Sequence, residues 1–320
     1  MIYWKEYRGH NLDIMGKKKM FDKNWFADEI TSRYGYVKRA RGCFLYTEKQ
    51  VRLTDMFQEA GRAIIGWGGG KARLEFKNAL ERGVTGSFRT KYSNQLVKAV
   101  NQLLPEYPNV RWYSSKDSLY RAVSTYFNME FVEPLAESPV LANLTDVQVS
   151  RWLRANKISR WRPWLEDAWF SSFETIPYVL QESVSVPQTA VVVSPPFPWS
   201  VTSFIVAYSS ENEDRIVHSD FAPPPLLAAI TRAFYDLYAE LPLRSEKDWR
   251  LYDDVLLRYF ERRGPYLIPK VPKEKYEEFF LHCLDQHIVI SPSFSYPSII
   301  PYGADVGVFS LLKKNPFEWE

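Results

Sequence analysis

The run Ile65-Gly66-Trp67-Gly68-Gly69-Gly70-Lys71-Ala72 has the look of a loop that wraps a phosphate with backbone N–H groups. A nucleotide phosphate loop follows G-x-x-x-x-G-K-[ST], with glycine at the start and a hydroxyl at the end to meet the metal ion. Here Ile65 stands at the first glycine position and Ala72 at the hydroxyl position, so the run reads as a glycine-rich turn before a helix. His282, Cys283 and His287 form a second suggestive group. Two helical residues five apart point about 140° away from each other, which favours a structural role over a metal site. No histidine lies between His10 and His218, which removes histidine triads and histidine metal sites from that span. No serine sits in a G-x-S-x-G elbow. Lysine is missing too, from Lys157 to Lys247, so that stretch has no side-chain amine to form an imine.

Such residues need elements to hold them, and the pattern supplies several. Phe44-Leu45-Tyr46 and the alternation through Val51 and Leu53 read as a hairpin. A helix is expected from Lys71 to Arg82, and another from Ser93 to Leu104 with Leu96, Ala99, Val100 and Leu103 on one face. Val110 to Tyr113 reads as a buried strand that feeds a helix capped by Ser114 or Ser115. Further strands are expected at Thr189 to Val193 and Phe204 to Tyr208. Helices follow from Pro225, from Ser245 to Arg263 and from Pro272 to Asp285, with a strand at Ile288 to Ile290. This alternation implies an α/β fold with a mainly parallel sheet.

The chain of 320 residues is 46% apolar and 16% aromatic, enough for a sizeable core. Its net charge of +3 is too small to indicate nucleic acid, and Lys17 to Lys19 reads as a solvated face. No run approaches the roughly 20 apolar residues of a membrane span, and no apolar leader is visible near Met1. Two distant cysteines fit a reducing compartment, so a cytoplasmic location is expected, without membrane or nucleic-acid partners.

Several segments carry a resemblance to a family. Arg41-Gly42-Cys43-Phe44-Leu45-Tyr46, Leu53-Thr54-Asp55-Met56 and Ile64-Ile65-Gly66-Trp67 come first, followed by two helices in the same order as the family's. Val110-Arg111-Trp112-Tyr113-Ser114-Ser115, Pro224-Pro225-Leu226-Leu227 and Ser291-Pro292-Ser293-Phe294 continue the series. Together they resemble class III, fold-type-I pyridoxal-phosphate aminotransferases, closest to glutamate-1-semialdehyde aminomutases, over somewhat more than half the chain.

The resemblance implies a shortened fold-type-I architecture. It comprises an arm and hairpin over residues 1–55, a truncated large domain over 56–240 and a small α+β domain over 241–320. It also implies a homodimer, with a further protein partner or small ligand left open. The family's imine-forming lysine falls on Ser194, and its S-G-T-E cofactor turn falls on Ser115, Lys116, Asp117 and Ser118. The phosphate threonine from the dimer mate falls near Asp220, and the acid that pairs with the pyridine nitrogen falls on Glu182. Serine forms no imine, and two carboxylates face the place of a phosphate dianion. A catalytically inactive protein without cofactor is therefore expected. In its cleft Lys116 would pair with Asp117 or Asp220, and Phe197 and Trp199 would fill space. The alternatives are a pyridoxal-phosphate aminotransferase or aminomutase borrowing a lysine such as Lys116, or altered chemistry in the same cleft.

Overall fold

A computed structural model describes residues 23–127, 158–165, 189–199, 203–210, 213–294 and 296–319. In chain order the first elements are α1 (Lys23–Tyr34), β1 (Val37–Arg41), β2 (Phe44–Thr47) and β3 (Arg52–Asp55). Next come α2 (Gly70–Glu81), α3 (Tyr92–Leu103), β4 (Asn109–Tyr113) and α4 (Lys116–Phe127). Strands β5 (Ile158–Trp161), β6 (Ala190–Val193) and β7 (Phe204–Tyr208) lead to α5 (Pro224–Glu240). The C-terminal part holds α6 (Glu246–Arg250), α7 (Asp253–Leu256), β8 (Phe260–Arg263) and β9 (Tyr266–Pro269). It closes with α8 (Tyr276–Asp285), β10 (Ile288–Val289), β11 (Ser298–Ile299) and α9 (Ser310–Lys314).

The sheet that concerns the site has the order β4-β7-β6-β5. It is mixed: β7 runs antiparallel to both β4 and β6, and only β5 and β6 pair in parallel. Strands β6 and β7 are buried at every position, as befits a sheet covered on both faces. Side chains alternate between the two faces with period two. Val191, Val193, Ile205 and Ala207 join the core formed with α2, α3 and α5. Ala190, Val192, Phe204, Val206 and Tyr208 join Leu119, Ala122, Val123 and Tyr126 of α4 on the other face. Helix α5 starts with Pro224-Pro225, which suits a first turn whose N–H groups have no helical acceptor.

A second core joins the two ends of the chain. Trp25, Ile30 and Tyr34 of α1, with Leu45, Leu53 and Met56, pack among Trp249, Phe260, Phe279, Phe280 and Leu284. Strand β3 pairs in parallel with β10, more than 200 residues later, and the Tyr34 hydroxyl donates to Leu284 O at 2.7 Å.

One expected element is corrected. Residues 245–263 do not form a long helix but two short ones and then β8, which pairs antiparallel with β9. Gly264, at φ +51°, and Pro265 turn the chain back into a hairpin, so Phe260 pairs across the sheet instead of extending a helical stripe. The capping pair at the start of this region does form, with Asp248 Oδ2 accepting from the Ser245 N–H at 2.8 Å.

Candidate functional site

Because β4 and β6 both oppose β7, and β5 runs with β6, three strands end at the same edge of the sheet. Tyr113 leads there into Ser114, Trp161 into Arg162 and Val193 into Ser194. The crevice beyond strand carboxyl ends is the usual ligand site of an open α/β sheet. Ser114 and Ser194 stand two strands apart, about 10 Å at the usual strand spacing.

At β4 the turn into α4 is already occupied by a side chain. Asp220 Oδ2 accepts from the Ser114 N–H at 2.8 Å and from the Ser114 hydroxyl at 2.7 Å. Ser115 caps the helix, its Oγ accepting from the Ser118 N–H at 3.1 Å. The 217–220 segment is fastened along β4: Tyr113 donates its hydroxyl to Val217 O, Ser219 Oγ accepts from the Trp112 N–H, and the Asp220 N–H reaches Trp112 O. Partial burial works to raise the Asp220 pKa, but the bonds from Ser114 and Ser118 and the charge of Arg121 outweigh it and hold the carboxyl below its usual range. A carboxylate thus sits where the positive end of a helix attracts an anion.

At β6, Ser194 Oγ accepts from Arg160 Nη1 at 2.8 Å. Phe197 is buried and stacks on Trp199, with ring centroids 6.0 Å apart, and Trp199 meets Phe76 of α2. These two rings therefore belong to the core under α2.

Of the residues singled out from the sequence, the fold brings Ser115 and Asp220 into one turn and puts Ser194 on the same sheet edge. Asp117 is exposed on the first turn of α4. Lys116 opens that helix, but its side chain, and with it the expected pairing to Asp117 or Asp220, lies outside the described residues, as does Glu182.

Sequence reading missed the arginines. Arg160 and Arg162 on β5 and just after it are 5% and 6% exposed, and Arg62 is 6% exposed. A signal existed in Ile158-Ser159-Arg160-Trp161-Arg162-Pro163, where two arginines flank a tryptophan at the start of the lysine-free span. Asp55 stands out in the sequence only as one member of a motif, yet it is fully buried at the end of β3. Its Oδ1 accepts from the Phe57 and Gln58 N–H groups at 2.9 Å each, and its Oδ2 from Trp67 Nε1 at 2.7 Å. Burial raises its pKa to about 6 against the pull of those bonds.

Comparison with solved structures decides the architecture. An omega-transaminase from Sphaerobacter thermophilus superposes with a TM-score of 0.58 at 12% identity, over 87% of this chain and 90% of its own. The fold is aminotransferase-like. A transaminase solved with PLP bound gives a TM-score of 0.58 at 11% identity, over 87% of this chain and 89% of that one. A glutamate-1-semialdehyde aminomutase from Pseudomonas aeruginosa PAO1 gives 0.54 at 12%, over 87% and 85%. At these identities the likeness establishes the fold-type-I α/β architecture and nothing finer. In sequence, an uncharacterised protein of Treponema pallidum (strain Nichols) is 29% identical over 320 residues, spanning 85% of this chain and 91% of that one. No family model matches the chain.

These likenesses correct the expectation of a chain without cofactor, because one of the similar structures holds PLP. Ser194, where the resemblance puts the imine-forming lysine, ends β6; no lysine occurs in residues 158–246, and the Asp220 carboxylate takes up the Ser114 N–H at the turn before α4, so the residues described there offer no lysine-anchored form of that cofactor.

Proposed function

We propose that this chain is an aminotransferase-fold protein that does not transaminate and acts as a small-ligand-binding or interaction module, assembled as a homodimer. One observation carries the reading. The strand end that faces the crevice bears Ser194, its hydroxyl engaged by Arg160, in a span with no lysine from 158 to 246. A hydroxyl cannot condense with an aldehyde to an imine, and imine formation is the step on which transamination depends. Pyridoxal phosphate, present in one of the similar structures, is a candidate ligand of this cleft, held by non-covalent contacts alone.

Borohydride treatment of the purified protein with pyridoxal phosphate tests this. The expected result is scattered, substoichiometric lysine labelling and no turnover of amino donors. A single lysine reduced to a stoichiometric adduct, together with amine transfer, overturns it. Sedimentation at micromolar concentration tests the assembly: a dimer is expected, and a monomer refutes that part.

A further inference from the structure

We propose that the pocket between the 58–62 turn, the end of β5 and Ser194 is an anion site that takes the carboxylate or phosphate head of a small molecule. This rests on the cleft reading above, since Ser194 belongs to both.

Arg160, Arg162, Ser194, Ala60, Gly61 and Tyr266 are among the residues that line the pocket. Arginine keeps its proton in proteins, so the wall carries two fixed positive charges at 5% and 6% exposure. Their planes are set by neighbours. Arg160 reaches Ser194 Oγ at 2.8 Å and lies 6.0 Å from the Tyr296 ring centroid, and Arg162 lies 5.1 Å from that of Tyr266. The planar fork of a guanidinium matches the two oxygens of a carboxylate or phosphate. The site also lies at the carboxyl ends of β5 and β6, on the edge where an open sheet takes ligands.

A second observation converges on the same pocket. Gln58, Glu59, Ala60 and Gly61 have φ of 49°, 51°, 55° and 87°, four left-handed residues in succession. Three of them carry side chains that disfavour this conformation. Asp55 grips the start of the turn through the Phe57 and Gln58 N–H groups, and Gln58 Nε2 donates to Ile300 O at 3.3 Å. The strained turn lays Ala60 and Gly61 on the pocket wall, while Arg62 after it packs 5.5 Å from the Phe204 ring at the start of β7, away from the pocket lining. Strain of this kind gathers at ligand clamps. The enclosed space is small, ≈ 20 Å³, about the room of one water, so an anionic head can sit only at the open mouth of the pocket and a whole cofactor cannot enter it.

Titration calorimetry of the full chain with inorganic phosphate, acetate and pyridoxal phosphate, in buffer of constant ionic strength, tests the site. Saturable binding of phosphate or acetate at one site per chain is expected, and whichever binds tighter names the head group. Displacement of phosphate by pyridoxal phosphate assigns the site to the latter's phosphate. Arg160→Gln and Arg162→Gln should each weaken binding at least tenfold, whereas Lys77→Gln on exposed α2 should leave it unchanged. If the arginine variants fail to fold, Ser194→Ala, a far milder change, should weaken binding at least threefold. Unsaturable binding in the wild type, or equal affinity in the folded pocket variants, overturns the proposal. The readout is independent of borohydride trapping, so loss of the anion site and loss of the non-transaminating reading are separate results.

Discussion

Asp55 has a folded-state pKa of about 6, up from 3.8, because it is buried and its three hydrogen-bond donors only partly offset the loss of water. Between those values the folded chain binds a proton that the unfolded chain has released. The group's contribution to folding is therefore complete at pH below the unfolded value and is lost as pH rises through about 6. Raising a pKa by about 2 corresponds to about 3 kcal/mol. Asp55→Asn removes the titration but sets an amide N–H against Trp67 Nε1, so the variant loses a bond at every pH. Urea unfolding at pH 4 and pH 7 should show the advantage of wild type over Asp55→Asn shrinking by about 2–3 kcal/mol at the higher pH. An advantage that grows with pH refutes the burial account. Asp220 makes a second residue-level case, since its carboxylate competes with any anion for the Ser114 N–H. Asp220→Thr should tighten pyridoxal phosphate binding about tenfold, equivalent to about 1.4 kcal/mol, and an unchanged dissociation constant in calorimetry counts against that competition.

Among the elements, the β8–β9 hairpin is the most informative, since helical periodicity pointed elsewhere. Trp249, Tyr252, Leu256 and Tyr259 are all buried, at spacings a single long helix would also satisfy. The chain instead breaks at Leu257, and Arg262 ties the new strand back to both short helices. Its Nε and Nη2 reach Asp253 at 2.7 and 3.0 Å, and Nη2 reaches Glu246 at 2.6 Å. The hydrogen bond from Arg262 is the chief reason the Glu246 carboxyl titrates below its ordinary range. The turn itself depends on Gly264, where an added Cβ would stand 3.1 Å from Trp164 O and φ is +51°. Gly264→Ala should cost about 1–2 kcal/mol, read as a lower urea midpoint with unchanged slope. A neutral result would mean the turn relaxes without strain.

For the whole molecule, the shared core of α1, β1–β3 and the C-terminal elements makes the two chain ends interdependent. Removing residues 1–56 strips Trp25, Ile30, Tyr34, Leu45, Leu53 and Met56 from that core and takes β3 from beside β10. Each lost large side chain costs about 1.5–3 kcal/mol, so the six together are comparable to the whole 5–15 kcal/mol of a typical domain. A chain of residues 57–320 should show no cooperative thermal transition by circular dichroism; a sharp one would show that the C-terminal part stands without the N-terminal segment.

Local pattern alone determined the elements whose burial is uniform along one face. Helices α2, α3, α4 and α5 and strands β2 to β4, β6 and β7 follow from apolar spacing and from breakers such as Pro105 and Gly83, which act within a few residues. The order of those elements, with the motifs along them, also carried the aminotransferase-like fold. The absence of lysine from residues 158–246 needed no fold at all. Other features belong to the tertiary structure. Periodicity could not choose between helix and hairpin at 260–269, because a stripe that buries Tyr259 and Phe260 suits either until β11 pairs with β9. Strand direction was equally hidden: β7 enters antiparallel between β4 and β6, making the sheet mixed where alternation implied parallel pairing. Asp220 meets Ser114 across 106 residues and Arg160 meets Ser194 across 34. A charged side chain carries no local mark of its partner, since that partner is set by which strand ends the sheet brings side by side.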